Sequence, residues 1–276
     1  MTEQDAYILG SSETEHRRLM LQARILRPWT EHFLRAGGLR PGMSVLDLGS
    51  GMGDVSMLAA GIVGPRGRVV GIDRDPVVTG KARLRAEREG FGDSVAFELA
   101  ALDDFDTDEH FDAVIGRFVL LYQPDPAATL RRFARFLRPG GVMVFHEIDL
   151  TNEFSSWPPS PVWDESYRLL AEAYRRGGTP PDFGRRLTRT FLDAGLPGPA
   201  VECLTPVGTD ASSPVVRWIA DSVRSLAPML ERTGLSLPAG LTADDTLPDQ
   251  LEKAVREQGS QIQGPLQYGA WTRRGE

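Results

Sequence analysis

Residues 45–54, VLDLGSGMGD, restrict the chain more than any other stretch. SVLDL at 44–48 has the length and apolar content of a buried strand, it runs directly into Gly49, Gly51 and Gly53, and residues 54–62 are apolar at helical period. Glycines there let the backbone turn sharply and come close to a ligand, while unpaired N–H groups at the start of the following helix face the same crevice. A loop that only reverses direction needs neither flanking element. The expected occupant is a nucleotide-like cofactor.

The alternation continues. RVVGI at 68–72 reads as a strand, 77–89 as a charged amphipathic helix, 95–99 and FDAVI at 111–115 as strands, and 127–136 as a helix; Pro139, Gly140 and Gly141 then turn into a strand at 142–148. Strands separated by helices of this length imply parallel βαβ units with right-handed crossovers, so the first 150 residues form one doubly wound α/β sheet. Ahead of it, Leu19, Ile25, Leu26, Trp29, Phe33 and Leu34 fall at helical spacing over 15–36, and Pro28 divides the stretch, so two helices are expected. Beyond residue 149 come the loop NEFSSWPPSPVW, helices at 164–176 and 184–194, a strand at 200–206, helices near 214–231 and 247–257, and a strand at 266–273. Three regions result: a helical leader or lid at 1–40, a core at 41–150, and at 151–276 the rest of the core with a helical cap insertion at about 207–262.

Composition excludes several classes. The net charge of −7 and the lack of a basic block interleaved with aromatics argue against a nucleic-acid partner. Cys203, the single cysteine, rules out an internal disulfide framework and suits a reducing, cytoplasmic compartment; it is expected to be a small buried apolar residue in its strand. The first residues lack a signal-peptide apolar core, and no apolar run approaches the roughly 20 residues needed to cross a bilayer. His16, His32 and His110 are scattered without ligand spacing, so no metal is expected.

About twenty residues after the glycine turn, RVVGI ends in Asp73, placed to accept hydrogen bonds from two ribose hydroxyls. The glycines read Gly-x-Gly-x-Gly, whereas dinucleotide enzymes usually show Gly-x-Gly-x-x-Gly. Asp47, two residues before the first glycine, is an awkward neighbour for a diphosphate and a favourable one for a ligand carrying an ammonium and a sulfonium. A nicotinamide-dependent oxidoreductase is therefore the less favoured alternative.

Taken in order, VLDLGSGMGD, VVGID, FDAVIGRFVLLYQPDP and LRPGGVMVF resemble the successive motifs of the class I S-adenosylmethionine-dependent methyltransferases, over about 40% of the chain, 41–148. YILGSSETEHRRLMLQARIL is similar to the helical leader of some bacterial small-molecule methyltransferases. The resemblance implies a Rossmann-like doubly wound sheet, mostly parallel with an antiparallel last strand, with N-terminal helices and a helical cap. It implies S-adenosyl-L-methionine as cofactor, a small-molecule acceptor, as in secondary metabolism, and in-line methyl transfer; the alternative within the family is cofactor binding without transfer. A homodimer is compatible with it.

Carried over by position, the backbone of Gly49, Ser50 and Gly51 lines the methionine part, Asp73 holds the ribose and Arg74 stacks along the adenine. The family's acidic residue after the third strand falls on Ala101, which leaves the backbone of Ala101 and Leu102, or Asp103, for the adenine. Arg117 sits where methionine moiety and acceptor meet, and Gln22 and Tyr7 of the leader fold over the cofactor. In VFHEID, strand alternation sets His146 and Glu147 on opposite faces, and His146 is the preferred general base ahead of Glu147 and Asp149. Trp157, Trp163, Tyr167, Trp218, Met229 and Tyr268 offer aromatic and soft apolar surface for a bulky acceptor.

Overall fold

All five residues of Ser44–Leu48 (β1) are buried because the strand is flanked on both sides, pairing in parallel with Arg68–Asp73 (β2) and with Phe111–Arg117 (β4). The computed structural model describes residues 13–152, 155–209 and 213–275, with backbone alone for 13–17. In chain order the first half runs Glu13–Ala36 (α1), β1, Asp54–Val63 (α2), β2, Pro76–Arg88 (α3), Val95–Leu99 (β3), β4, Pro126–Ala134 (α4) and Leu137–Asp149 (β5). The second half runs Ser156–Trp157 (β6), Pro161–Arg176 (α5), Leu187–Asp193 (α6), Ala200–Leu204 (β7), Val207–Gly208 (β8), Pro214–Ser225 (α7), Ala227–Thr233 (α8), Leu247–Gln258 (α9), Gln261–Gln263 (β9) and Leu266–Arg273 (β10).

Seven strands form one sheet in the order β3-β2-β1-β4-β5-β10-β7. The pairs from β3 through β5 are parallel. At the far end of β10, the Arg274 N–H donates to the Gly141 carbonyl near the start of β5 at 2.8 Å, so β10 enters antiparallel. The middle strands carry the core: Val45, Leu46, Leu48, Ala113, Val114 and Ile115 are fully buried. Each large aliphatic side chain so buried contributes about 1.5–3 kcal/mol.

Helix starts follow the local chemistry. Asp75 caps α3 by accepting the N–H groups of Val77 and Val78, and Asp125 caps α4 by accepting that of Ala128; Pro76 and Pro126 occupy the first helical position, where no N–H is needed.

The chain divides into two compact units. A core unit comprises Arg27–Glu147, Gly184–Cys203 and Tyr268–Glu276. A helical unit comprises Met1–Leu26, Ile148–Phe183 and Leu204–Gln267; its core includes Trp163, Tyr167 and Trp218, and it holds a three-stranded sheet of order β6-β9-β8.

Several expectations are corrected. Residues 15–36 form one helix, because Pro28 is exposed and costs α1 a single backbone donor without ending it. Leu137 through Gly141 already belong to β5, with a register shift between Phe111 and Ala113 that takes up the glycines. The helix at 214–231 breaks into α7 and α8 where Pro228 begins a new one. Cys203 is exposed, since β7 is an edge strand and nearly all of it faces outward. The small sheet was not foreseen: strands of two or three residues carry no periodic signal.

Candidate functional site

The turn after β1 is built around three left-handed glycines, Gly49 (φ 62°), Gly51 (φ 53°) and Gly53 (φ 80°). A side chain at Gly53 would come within 2.6 Å of the Phe97 ring, and one at Gly49 within 2.9 Å of Val119. Gly51 differs, because a Cβ there would meet only the Gly49 carbonyl, at 4.0 Å. That open space beside exposed main chain is a cradle in which a ligand can approach the backbone. The Gly51 N–H donates to one oxygen of Asp73 at 2.9 Å, and the Asp75 N–H donates to the other at 3.0 Å. The tip of β2 is thereby tied to the turn, while each carboxylate oxygen keeps capacity for a further donor. From α3, Arg85 pairs with Asp54 at 2.7 Å and donates to the Met52 carbonyl, so the turn is also held from outside.

Behind the turn Asp47 is buried and accepts from the Ser56 hydroxyl at 2.5 Å. Burial pushes its carboxyl up to about 7, opposed by the Ser56 hydrogen bond and the Arg117 charge and reinforced by Asp73 and Asp54. Burial also lowers the Arg117 pKa, with Asp54 and Asp47 holding its charge in place. A cation and an acid on adjacent strands thus face the same end of the sheet.

Arg117 and His146 are register partners on β4 and β5. Arg117 Nη1 donates to Thr30 Oγ1 at 3.2 Å, and the same oxygen lies 3.0 Å from His146 Nδ1. One hydroxyl on α1 therefore joins the two. His146 is buried, edge-on to Phe33 at 5.0 Å and Phe118 at 5.4 Å between ring centres. On the opposite face, Glu147 is fully buried and accepts from the N–H groups of Val119 (3.1 Å) and Leu120 (2.8 Å). Burial raises its carboxyl to about 8, against these backbone hydrogen bonds. They hold the bend after β4, where Phe118 alone among the described non-glycine residues has positive φ, 54°. Strain of about 1–2 kcal/mol is usual for such a residue.

The structure thus brings Asp47, Gly49, Ser50, Gly51, Asp73, Arg117 and His146 to the C-terminal ends of parallel strands in the core unit. Arg74 is exposed just after β2. Ala101 and Leu102 follow β3, and the Leu102 carbonyl accepts from Arg132, which fixes that loop. Gln22 belongs to the helical unit, where its carbonyl accepts from Arg18 at 2.7 Å and from the Trp218 indole at 3.3 Å. Tyr7 lies outside the described residues. Of the aromatic set, Trp163, Tyr167, Trp218 and Met229 are buried and Trp157 is exposed. Thr30 was missed, although a polar residue on the buried stripe of α1, four after Leu26 and three before Phe33, is a signal the spacing carries.

Comparison with known proteins places this geometry. Residues 39–174 match a family described as a methyltransferase domain. The ubiquinone/menaquinone biosynthesis C-methyltransferase UbiE of Shewanella sp. (strain W3-18-1) is 34% identical over 124 residues, 45% of this chain and 49% of that protein. The chain spans about half the length of the curated relatives it matches. A protein from Bacillus halodurans C-125, proposed to be a methyltransferase, shares the fold at a TM-score of 0.60 with 18% identity, over 90% of this chain and 99% of its own. A SAM-dependent methyltransferase from Geobacter sulfurreducens, solved in complex with S-adenosyl-L-homocysteine, shares it at 0.51 with 21% identity, over 90% of this chain and 91% of its own. Strand order, glycine turn and acidic β2 tip agree with these likenesses: residues 39–174 match the methyltransferase-domain family, and the fold is that of S-adenosylmethionine-dependent methyltransferases.

Proposed function

We propose that this protein is an S-adenosylmethionine-dependent methyltransferase acting on a small-molecule acceptor. The carrying observation is the open turn at Gly51 with its N–H on the Asp73 carboxylate, which leaves backbone and a carboxylate together at the strand ends. The residues fit the cofactor: the Gly49–Gly51 cradle admits a chain against the backbone, Asp73 has acceptor capacity for ribose hydroxyls, and Asp47 is an acid beside which a cation is favoured. Bound there, the cofactor supplies a methyl group activated on a sulfonium for in-line displacement by the acceptor.

The chain's own contribution is positioning and exclusion of water. Gly49, Ser50 and Gly51 hold the methionine part, Asp73 the ribose, and Arg74 with the backbone of Ala101 and Leu102 the adenine side. Arg117 orients a carboxylate, with Thr30, itself hydrogen-bonded to His146, holding the guanidinium in place. His146 is a positioning residue in this reading, because it is packed against two aromatic rings and Thr30. UbiE's description as a C-methyltransferase of ubiquinone/menaquinone biosynthesis supports a small-molecule acceptor; a role in secondary metabolism is our proposal, and the helical unit would carry acceptor recognition. Among the described residues no helix is long and apolar enough to cross a membrane. We propose a cytoplasmic location on the single cysteine, which suits a reducing compartment.

The test is calorimetry of S-adenosylmethionine and S-adenosylhomocysteine binding to the wild type and Asp73→Ala, with melting curves to show that the variant folds. Micromolar binding weakened at least about tenfold in a folded variant supports the reading. Absence of binding to the wild type overturns it.

A further inference from the structure

The helical unit contains a cavity of about 490 Å³ to which none of the cofactor-site residues named above contributes. Its wall comes from the chain just after β5 (Leu150, Thr151, Asn152) and from one face of α5 (Asp164, Tyr167, Arg168), and this volume lies within the ordinary range of small-molecule sites. The wall is built rather than incidental. Asp149 accepts from both the N–H and the hydroxyl of Thr151, at 2.7 and 2.6 Å, and the Leu150 N–H donates to the Pro181 carbonyl at 2.7 Å, so the strand exit is fixed. Asp164 accepts from the Ser155 and Ser156 hydroxyls, which pins the opposite rim to α5.

Against this ordered frame, three side-chain polar atoms on the wall have no hydrogen-bond partner: Asn152 Oδ1, Asn152 Nδ2 and the Tyr167 hydroxyl. Seven such buried atoms occur among the described residues, so nearly half gather at one cavity. Each unsatisfied buried group costs about 1–3 kcal/mol, and a fold that satisfies its neighbours so fully keeps such atoms where something else supplies the partners. Arg168, one residue beyond Tyr167, is an exposed guanidinium with no ion pair among the described residues. Its neighbours differ: Glu172 is held by Arg175 and Arg176, which leaves Arg168 as the cation without a committed carboxylate.

We propose that this cavity binds a small hydroxylated carboxylate. The carboxylate meets Arg168, the Tyr167 hydroxyl and Asn152 Nδ2 donate to ligand oxygens, and the ligand hydroxyl donates to Asn152 Oδ1. Leu150 and Ala171 give the same wall an apolar portion that accepts a hydrocarbon or aryl group. The inference stands apart from methyl transfer, because binding is read on the full chain without S-adenosylmethionine.

Calorimetry with three probes of similar shape tests it: mandelate, phenylacetate, which lacks the hydroxyl, and mandelamide, which lacks the charge. Mandelate is expected to bind with a dissociation constant below about 1 mM, and the other two at least about tenfold more weakly. Arg168 is exposed, so Arg168→Ala should keep its melting temperature while binding mandelate no better than mandelamide. Asn152→Leu should lose the preference for mandelate over phenylacetate. No mandelate binding, equal binding of the three probes, or binding unchanged in Arg168→Ala overturns the proposal and leaves a cavity filled by water.

Discussion

Thr30 shows how much one hydroxyl on a helix can decide. It is the shared partner of Arg117 and His146, so Thr30→Val should release both, whereas Thr30→Ser keeps the oxygen. Turnover by the valine variant is expected to fall about tenfold with cofactor affinity little changed, and the serine variant should recover most of it; single-turnover kinetics beside calorimetry would separate the two effects. Gly53 makes the opposite case, where a side chain is forbidden. Its φ of 80° and the Phe97 ring 2.6 Å from any Cβ make Gly53→Ala costly, by about 2–4 kcal/mol in denaturant unfolding. Gly53, Asp73 and the faces of His146 and Glu147 were legible because each follows from local spacing. Thr30 was legible only as an oddity on an apolar stripe, since its partners lie 87 and 116 residues away.

Among the elements, the Asp-Pro pairs at 75–76 and 125–126 announced two helix starts, because capping chemistry is written in adjacent residues. Pro28 misled for the reason that makes it interesting: inside a helix a proline costs one backbone donor, and a long helix with buried anchors such as Leu26 and Phe33 tolerates the loss. Because Pro28 is exposed, Pro28→Ala should restore the donor without disturbing packing. A gain of about 1–3 kcal/mol is expected, read as a higher denaturation midpoint; an unchanged midpoint would mean that the helix is already relaxed around the ring. The short strands β6, β8 and β9 could not be read locally, since their pairing partners supply the only reason for an extended backbone there.

For the molecule as a whole, two buried acids set the pH response. In the unfolded chain Asp47 and Glu147 titrate at 3.8 and 4.5, and in the folded chain at about 7 and about 8. Between those limits the folded state binds more protons at these two groups than the unfolded one, so their contribution to stability is full below about pH 4 and declines as pH rises towards 8. The decline is up to about 4 kcal/mol for each group, and thermal melts at pH 5.5 and 8 should show it. Glu147→Gln should flatten the upper part of the curve while Asp47 continues to act. The division into two units was beyond sequence reading, because each is assembled from three separated segments and periodicity reports only on neighbours. That discontinuity also sets an order of events during synthesis. β7 pairs in its sheet with β10 alone, and β10 lies between β7 and β5 although more than sixty residues separate β7 from it along the chain. As a nascent chain leaves the ribosome, β5 and β7 must therefore wait with open edges until residues 266–273 emerge to zip them together, and during that interval their unpaired backbone is open to pairing with other chains.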